Sequence, residues 1–225
     1  MTAASLNHVY RLVWNEVSQS FVAVSEHTRG RGKRSRRGAV AAVVLSVGAL
    51  AGAHAQQAPP AGALPTQGQI VGGQGQIQSG PQQTTIRQDS SRLLINWGSF
   101  NIGADARVQF VQPGRDSVAL NRVTGGGVST ILGQLSGNGQ VWLLNPAGIV
   151  FGHSAQVDVG GLVASTLSLS DADFLAGRHQ FSGATSGRVE NHGRLTADGG
   201  YIALLGTQVH NTGTIQTPQG HTALA

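Results

Sequence analysis

Metal binding or proton transfer would draw first on histidine, and His153, His179, His192, His210 and His221 are scattered singly along the chain. Asp171 and Asp173 form a single D-x-D, which supplies too few oxygens for a calcium loop. The stretch VTGGGVS, Val123–Ser129, is glycine-rich but no lysine follows it. It therefore reads as a turn and not as a phosphate cradle. No G-x-S-x-G elbow, Walker loop, H-E-x-x-H pair or EF-hand pattern occurs. Cysteine is absent, which removes disulfides, thiolate catalysis and Cys-based zinc sites. The expectation is a protein without catalytic residues, metal or cofactor, its histidines in solvated turns. Trp97 and Trp142 read as packing residues before sugar platforms. Arg122 beside Asn121 is open to two readings, a recognition contact or a buried hydrogen-bonding group.

The sharpest local signal is NPAGIVFG, Asn145–Gly152, set between the apolar runs Val141–Leu144 and Ile149–Phe151. Asn-Pro favours a turn, and Pro146 biases Asn145 toward extended backbone. Gly148 permits a conformation that other residues avoid. Asn145, Pro146, Ala147, Gly148 and Ile149 thus read as a tight corner between strands that both point inward, a folding device.

Such a corner must be positioned by short strands, and the rest of the chain is rich in them. The 225 residues include 33 glycines, with 40% hydrophobic and 11% charged. Apolar β-branched segments such as TTIRQ, RLLINW, RVQFVQ, QVWLLN and AQVDV are punctuated by Gly, Asn, Pro or Asp. No long window has a 3.6-residue period. One helical turn is expected at SDADFLAG, with Ser170 as its cap and Gly177 as its stop. The segment from Val189 to Leu205 repeats from Val209 to Ala225 at an offset of 20. An earlier echo sets VGGLVAS, Val159–Ser165, against DGGYIAL at an offset of 39. A period near twenty residues with N-x-G corners fits one coil of a β-solenoid. The expected fold is all-β, a right-handed, single-stranded, pectin-lyase-like parallel β-helix with a small N-terminal β cap. Asn191 and Asn211, with Gly193 and Gly213, would form a turn ladder. Because TALA ends the chain in mid-coil, the sequence is expected to be a piece of a longer filament.

Charge is unevenly placed. Residues 1–55 hold seven cations and two anions, which accounts for the whole net charge of +5. Residues 56–225 hold eight Arg against seven Asp and one Glu, with no Lys. Residues 56–225 thus lack the cationic excess of a nucleic-acid binder. Arg29–Arg37 is a basic run, and residues 38–53 form an uncharged segment of 16. That is short of the ~20 residues needed to span a bilayer. With Ala53 and Ala55 before Gln56, this is the pattern of a secretory signal peptide cut after residue 55. Residues 56–68 read as a Pro-, Ala- and Gln-rich linker. The remaining divisions are 69–188 for the main domain and 189–225 for the repeated coils.

Two resemblances add to this reading. The segment 6–28, through Asn7, Tyr10, Arg11, Trp14, Asn15 and Phe21–Glu26, resembles the extended signal peptide region of bacterial autotransporters and two-partner-secretion exoproteins. It implies slowed export through the Sec translocon of a Gram-negative bacterium. WGSFNIGADARVQFVQP, LNRVTGG, ILGQLSGNGQVWLLNPAGIVFG and AQVDVGGLVAST resemble the two-partner-secretion domain, or haemagglutination activity domain, of filamentous haemagglutinin-type exoproteins. Trp97, Phe100, Asn101, Ile102, Gly103, Asn121 and Arg122 carry the family pattern. The family's N-P-N-G-[IV] falls on Asn145–Ile149 with Ala147 in place of the second Asn; its N-P-N-L motif has no match. The resemblance implies a β-helix recognised by an outer-membrane β-barrel transporter, which secretes an adhesin to the cell surface or medium. Host-cell glycans or receptors would be its targets. Delivery of a contact-dependent toxin or haemolysin, or haem capture, are the alternatives.

Overall fold

The structure is a computed structural model that describes the backbone of residues 10–15 and 20–25, and residues 58–183 and 185–225 in full. The basic run, the apolar segment, Ala53, Ala55 and Gln56 lie outside the described residues. In the leader, β1 (Tyr10–Asn15) and β2 (Ser20–Ser25) pair antiparallel, Tyr10 opposite Ser25.

From residue 58 onward the chain winds into a parallel β-solenoid of about six turns. Two short strands, β3 (Gln69–Gly72) and β4 (Gly75–Ser79), start it. A first face stacks β5 (Gln83–Gln88), β7 (Arg107–Val111), the leading halves of β10 (Gln134–Leu144) and β12 (Gln156–Ser165), β14 (Arg194–Thr196) and β17 (Thr214–Gln216). A second face stacks β6 (Arg92–Trp97), β8 (Val118–Val123), the trailing halves of β10 and β12, β15 (Tyr201–Leu205) and β18 (His221–Leu224). A third face holds β9 (Ser129–Ile131), β11 (Ile149–Phe151), β13 (Val189–Asn191) and β16 (Val209–Asn211). All these neighbours are parallel. Among the described strands from residue 58 onward, β3 on β6 and β4 on β5 run antiparallel, and they form the cap at the first coil.

The twenty-residue offset is the observed register. Val189 pairs with Val209, Leu195 with Ile215 and Ala203 with Ala223. The earlier echo is corrected by one residue. Leu162 pairs with Ile202, forty residues on, and Val157 with Leu195, thirty-eight on. Strand side chains alternate with period two, so an offset of 39 would have set buried Leu162 on outward Tyr201. Even offsets keep inward residues stacked on inward ones.

Those inward residues fill the coil. Ile86, Leu93, Ile95, Val108, Phe110, Val141, Leu143, Phe151, Leu162, Leu195 and Ile202 lie in one continuous core. A second apolar cluster lies outside the second face, where Leu94, Leu120, Trp142, Leu144 and Val163 meet Leu169 and Phe174. Leu169 and Phe174 belong to residues 166–188, a detour between β12 and β13 that folds back over this face. Within it, α1 (Asp171–Leu175) is capped by Ser170, whose hydroxyl accepts from the Asp173 amide, and Gly177 follows with φ +74°. Ser168 and Ser182 tie the detour's two arms through reciprocal backbone bonds of 2.8 and 2.9 Å.

Residues 58–68 are held against the first coil and do not hang as a linker. Gly103 and Asp105 donate to the Ala63 and Ala61 carbonyls at 2.9 and 2.8 Å, and Thr66 pairs with Ser99. Leu64 packs on the core. A Pro- and Ala-rich composition has no amphipathic period, so its docking left no signal to read.

Candidate functional site

The Asn145 corner is built by its own side chain. Asn145 is fully buried and its Oδ1 accepts from the Ala147 amide at 2.9 Å, an Asx turn. Its Nδ2 donates across the coil to the Gly127 carbonyl and the Ser129 hydroxyl, both at 2.9 Å. The Gly148 amide closes the turn on the Asn145 carbonyl at 3.0 Å. Gly148 has φ +126°, which a side chain rarely adopts, and a Cβ there would lie 3.1 Å from the Arg188 carbonyl. Beyond the corner Ile149 is buried, while Pro146 faces solvent. Ala147 borders a groove of about 340 Å³ with Val128, Val150 and Arg188.

The residues of the second pattern lie about the first two coils. Trp97 and Phe100 pack edge to face with centroids 5.6 Å apart, both buried, and Ile102 bridges Ile131. Trp97 Nε1 donates to Asn121 Oδ1 at 3.0 Å, and Asn121 Nδ2 donates to the Ala119 and Trp142 carbonyls. A fully buried amide is thus satisfied on both ends, as burial requires. Asn101 Oδ1 accepts from the Thr130 amide at 2.8 Å. Gly103 donates to Ala63 and so ties the cap to the coil. Arg122 points outward to the detour, donating to the Leu169 carbonyl at 2.8 Å and pairing with Asp171 at 2.6 Å. Arg122 is half-buried and its partner Asp171 exposed, so these bonds sit at the surface and not in the core.

At the other end, Asn191 Nδ2 donates to Asn211 Oδ1 at 2.7 Å, and Asn191 Oδ1 accepts from the Gly193 amide. The Gly213 amide donates to the Asn191 carbonyl at 2.9 Å.

One grouping escaped sequence reasoning, and of a second only the nearness of His192 and His210 follows from the twenty-residue offset. At the corner between first and second faces, Gln112 Nε2 donates to Gln88 Oε1 at 3.0 Å and to the Ser117 carbonyl. Its Oε1 accepts from the Gly139 amide, while Asn138 and Gln112 exchange bonds at 2.8 Å. These amides stand 24 and 26 residues apart, an uneven spacing that shows no repeat. The second grouping is a column of imidazoles on the third face. His153 and His192 have centroids 5.2 Å apart, and His192 and His210 6.1 Å. The detour separates His153 from His192 in sequence and conceals their proximity. Among the described residues no three His, Asp or Glu side chains stand arranged as a metal centre.

Titration marks the detour. Hydrogen bonds from Ser170 and Arg178 hold the Asp173 carboxyl below the usual range. Desolvation against Trp142, whose ring lies 4.6 Å away, with the charge of Arg92, lowers His179 although the residue as a whole is exposed. Burial pushes the Tyr201 hydroxyl up to about 12; that hydroxyl accepts from Trp142 Nε1 and donates to Gln140. These shifts follow from packing, and none gathers a nucleophile, a base and an oxyanion site.

Comparison with known proteins identifies secretion-related families. The family model described as the TPS secretion domain matches residues 56–225, and that of the extended signal peptide of the type V secretion system matches 7–55. A heme/hemopexin-binding protein of Haemophilus influenzae is 35% identical over 160 residues, covering 68% of this chain. A second protein of that name from Haemophilus influenzae is 41% identical over 104 residues, covering 46% of this chain. The chain spans only 18% and 11% of the lengths of these two relatives. The crystal structure of the HMW1 secretion domain from Haemophilus influenzae superposes with a TM-score of 0.67 at 34% identity, over 72% of this chain and 44% of that one.

Proposed function

The chain belongs to the family of TPS secretion domains, and from that premise we propose that residues 56–225 act as an export address and folding seed, not as a catalyst. The protein is exported across the Gram-negative envelope to the surface or medium. On this reading the Sec translocon takes the leader, which is cut between Ala55 and Gln56. An outer-membrane β-barrel transporter then binds the extended chain. Folding follows outside, where the capped first coil offers a ladder on which the next coil forms. The observation that supports this most is the parallel register, in which nearly every strand pairs with the one a coil earlier. The Asn145–Ile149 corner serves coil closure, and the rest of a longer exoprotein supplies adhesion to host glycans or receptors, or delivers a toxin.

The test is expression with and without the cognate transporter. Mature protein should reach the medium only when the transporter is present. Equal amounts in the medium without it would overturn the proposal.

A second reading rests on the relatives' name, heme/hemopexin-binding protein. In it the whole exoprotein captures haem or its carrier. Retention of haem–hemopexin by the secreted full-length protein supports this reading, and passage unretained removes it.

A further inference from the structure

Asn138–Gly139 is the one Asn-Gly dipeptide in the 225 residues. In an open chain this pair is prone to deamidation, because glycine leaves its own amide nitrogen unobstructed beside the asparagine side chain. Both halves of the pair are needed where they stand. A Cβ at residue 139 would lie 2.7 Å from the Gly114 carbonyl oxygen and 2.8 Å from that of Ser117, so glycine is required. The backbone ladder between β7 and β10 ends at Phe110 and Gly137, and the Asn138 side chain continues it. Its Oδ1 accepts from the Gln112 amide and its Nδ2 donates to the Gln112 carbonyl, both at 2.8 Å. The Gly139 amide donates to Gln112 Oε1 at 3.0 Å. Gln112 is buried, and its Nε2 is fixed in turn by Gln88 Oε1 and the Ser117 and Gln140 carbonyls. One residue of the preceding coil thus holds both the nitrogen that would attack and the amide that would be attacked.

We propose that Asn138–Gly139 is a latent deamidation site, held shut by Gln112 in the wound coil and open in the chain before it folds. In the reaction the Gly139 nitrogen bonds to Asn138 Cγ, the Cγ–Nδ2 bond breaks, and ammonia leaves carrying the Gly139 amide proton. Water then opens the cyclic imide at either of its carbonyls and leaves aspartate or isoaspartate. Attack requires the Asn138 side chain to turn over its own backbone, which breaks both bonds to the Gln112 main chain. It also requires the Gly139 amide to give up its proton, which breaks the bond to Gln112 Oε1. Reaction in the folded protein therefore waits on local opening of this corner. Neither product fits the closed corner. Aspartate lacks the Nδ2 donor and sets a carboxylate against the Gln112 carbonyl. Isoaspartate lengthens the main chain inside β10 and displaces Val141–Leu144 against Ala119–Arg122 and Leu162–Ser165, their partners on either side. The site thus records the time that a chain has spent unwound, and a chain delayed too long loses the register on which its next coils depend.

Peptide mapping by mass spectrometry, on secreted protein aged in mildly alkaline buffer, tests the site. Asn138 should keep its amide in the folded protein and convert to aspartate and isoaspartate in the same protein aged in guanidinium chloride. Gln112→Ala should speed conversion in the folded state about tenfold or more, the factor expected once bonds of this strength no longer resist opening. Asn191→Ala, which loosens a different corner, should leave Asn138 protected, and so separates the clamp from general stability. Far-ultraviolet circular dichroism reports whether each variant winds as the parent does. If Gln112→Ala does not wind, hydrogen exchange of the Gly139 amide in the parent decides instead. Exchange much slower than in an exposed turn supports the clamp, and exchange at the rate of an exposed turn overturns it. Equal deamidation of folded and denatured protein at Asn138 would also overturn the proposal, as would a wound Gln112→Ala that keeps this amide as long as the parent.

Discussion

The first and second faces of the solenoid share the strands β10 and β12, yet they are written in different residue patterns. In β7 the first face alternates: Val108 and Phe110 point in, while Arg107, Gln109 and Val111 are exposed. In the trailing half of β10 the second face buries Val141, Trp142, Leu143 and Leu144 in a row. The difference is in what lies outside. Water covers the first face, and residues 166–188 cover the second with Leu169, Phe174 and Phe181. A strand buried on both sides reads as an unbroken apolar run, whereas a half-buried one alternates. Strand β10 shows both patterns in eleven residues and changes between them at the register shift near Gly137. Periodicity therefore reports the number of covered sides, face by face.

Substitutions can break or sharpen that contrast. Trp142→Ala, on the outer side of the second face, should cost about 3–5 kcal/mol in denaturant unfolding, although its side chain points away from the coil. A loss below about 1 kcal/mol would mean that the detour does not close over it. Asn191→Ala leaves the Gly193 amide and the Asn211 side chain without their partner and should cost about 1–3 kcal/mol; a neutral result would remove the ladder's role. Acid should act on the covered face in a definite sense. The folded state lowers the affinity of His179 for protons, so the unfolded state binds more of them. Stability from neutral His179 is then complete above its ordinary value of 6.5 and declines as pH falls below it. Trp142 emission should shift to the red over that range, and His179→Gln should flatten the shift. Finally, Gln109→Ala on the open first face should change stability by less than about 0.5 kcal/mol, measured in the same unfolding assay.

Local chemistry explains which features the sequence made legible. The coil period was readable because Val189–Leu205 and Val209–Ala225 are consecutive and uninterrupted, so equal offsets carry equal side chains. The single helical turn was readable from Ser170 and Gly177, which act within a few residues of each other. The same is true of the corner, whose Asx turn lies within Asn145–Gly148. What stayed hidden depends on partners from other coils. The Gln88–Gln112–Asn138 network joins residues at unequal spacings. The His153–His192 contact spans the detour. The docking of residues 58–68 relies on backbone bonds, which carry no residue signature.

The detour leaves at Thr166 and returns at Arg188, yet Leu162 still stacks on Ile202 and Ile149 on Val189 as if nothing had intervened. The scaffold thus behaves like a spool whose thread may be pulled out at a bend and rewound without shifting the turns on either side. The register is indifferent to what is inserted at that bend, but the apolar outer side of the second face is not, since it needs a cover there.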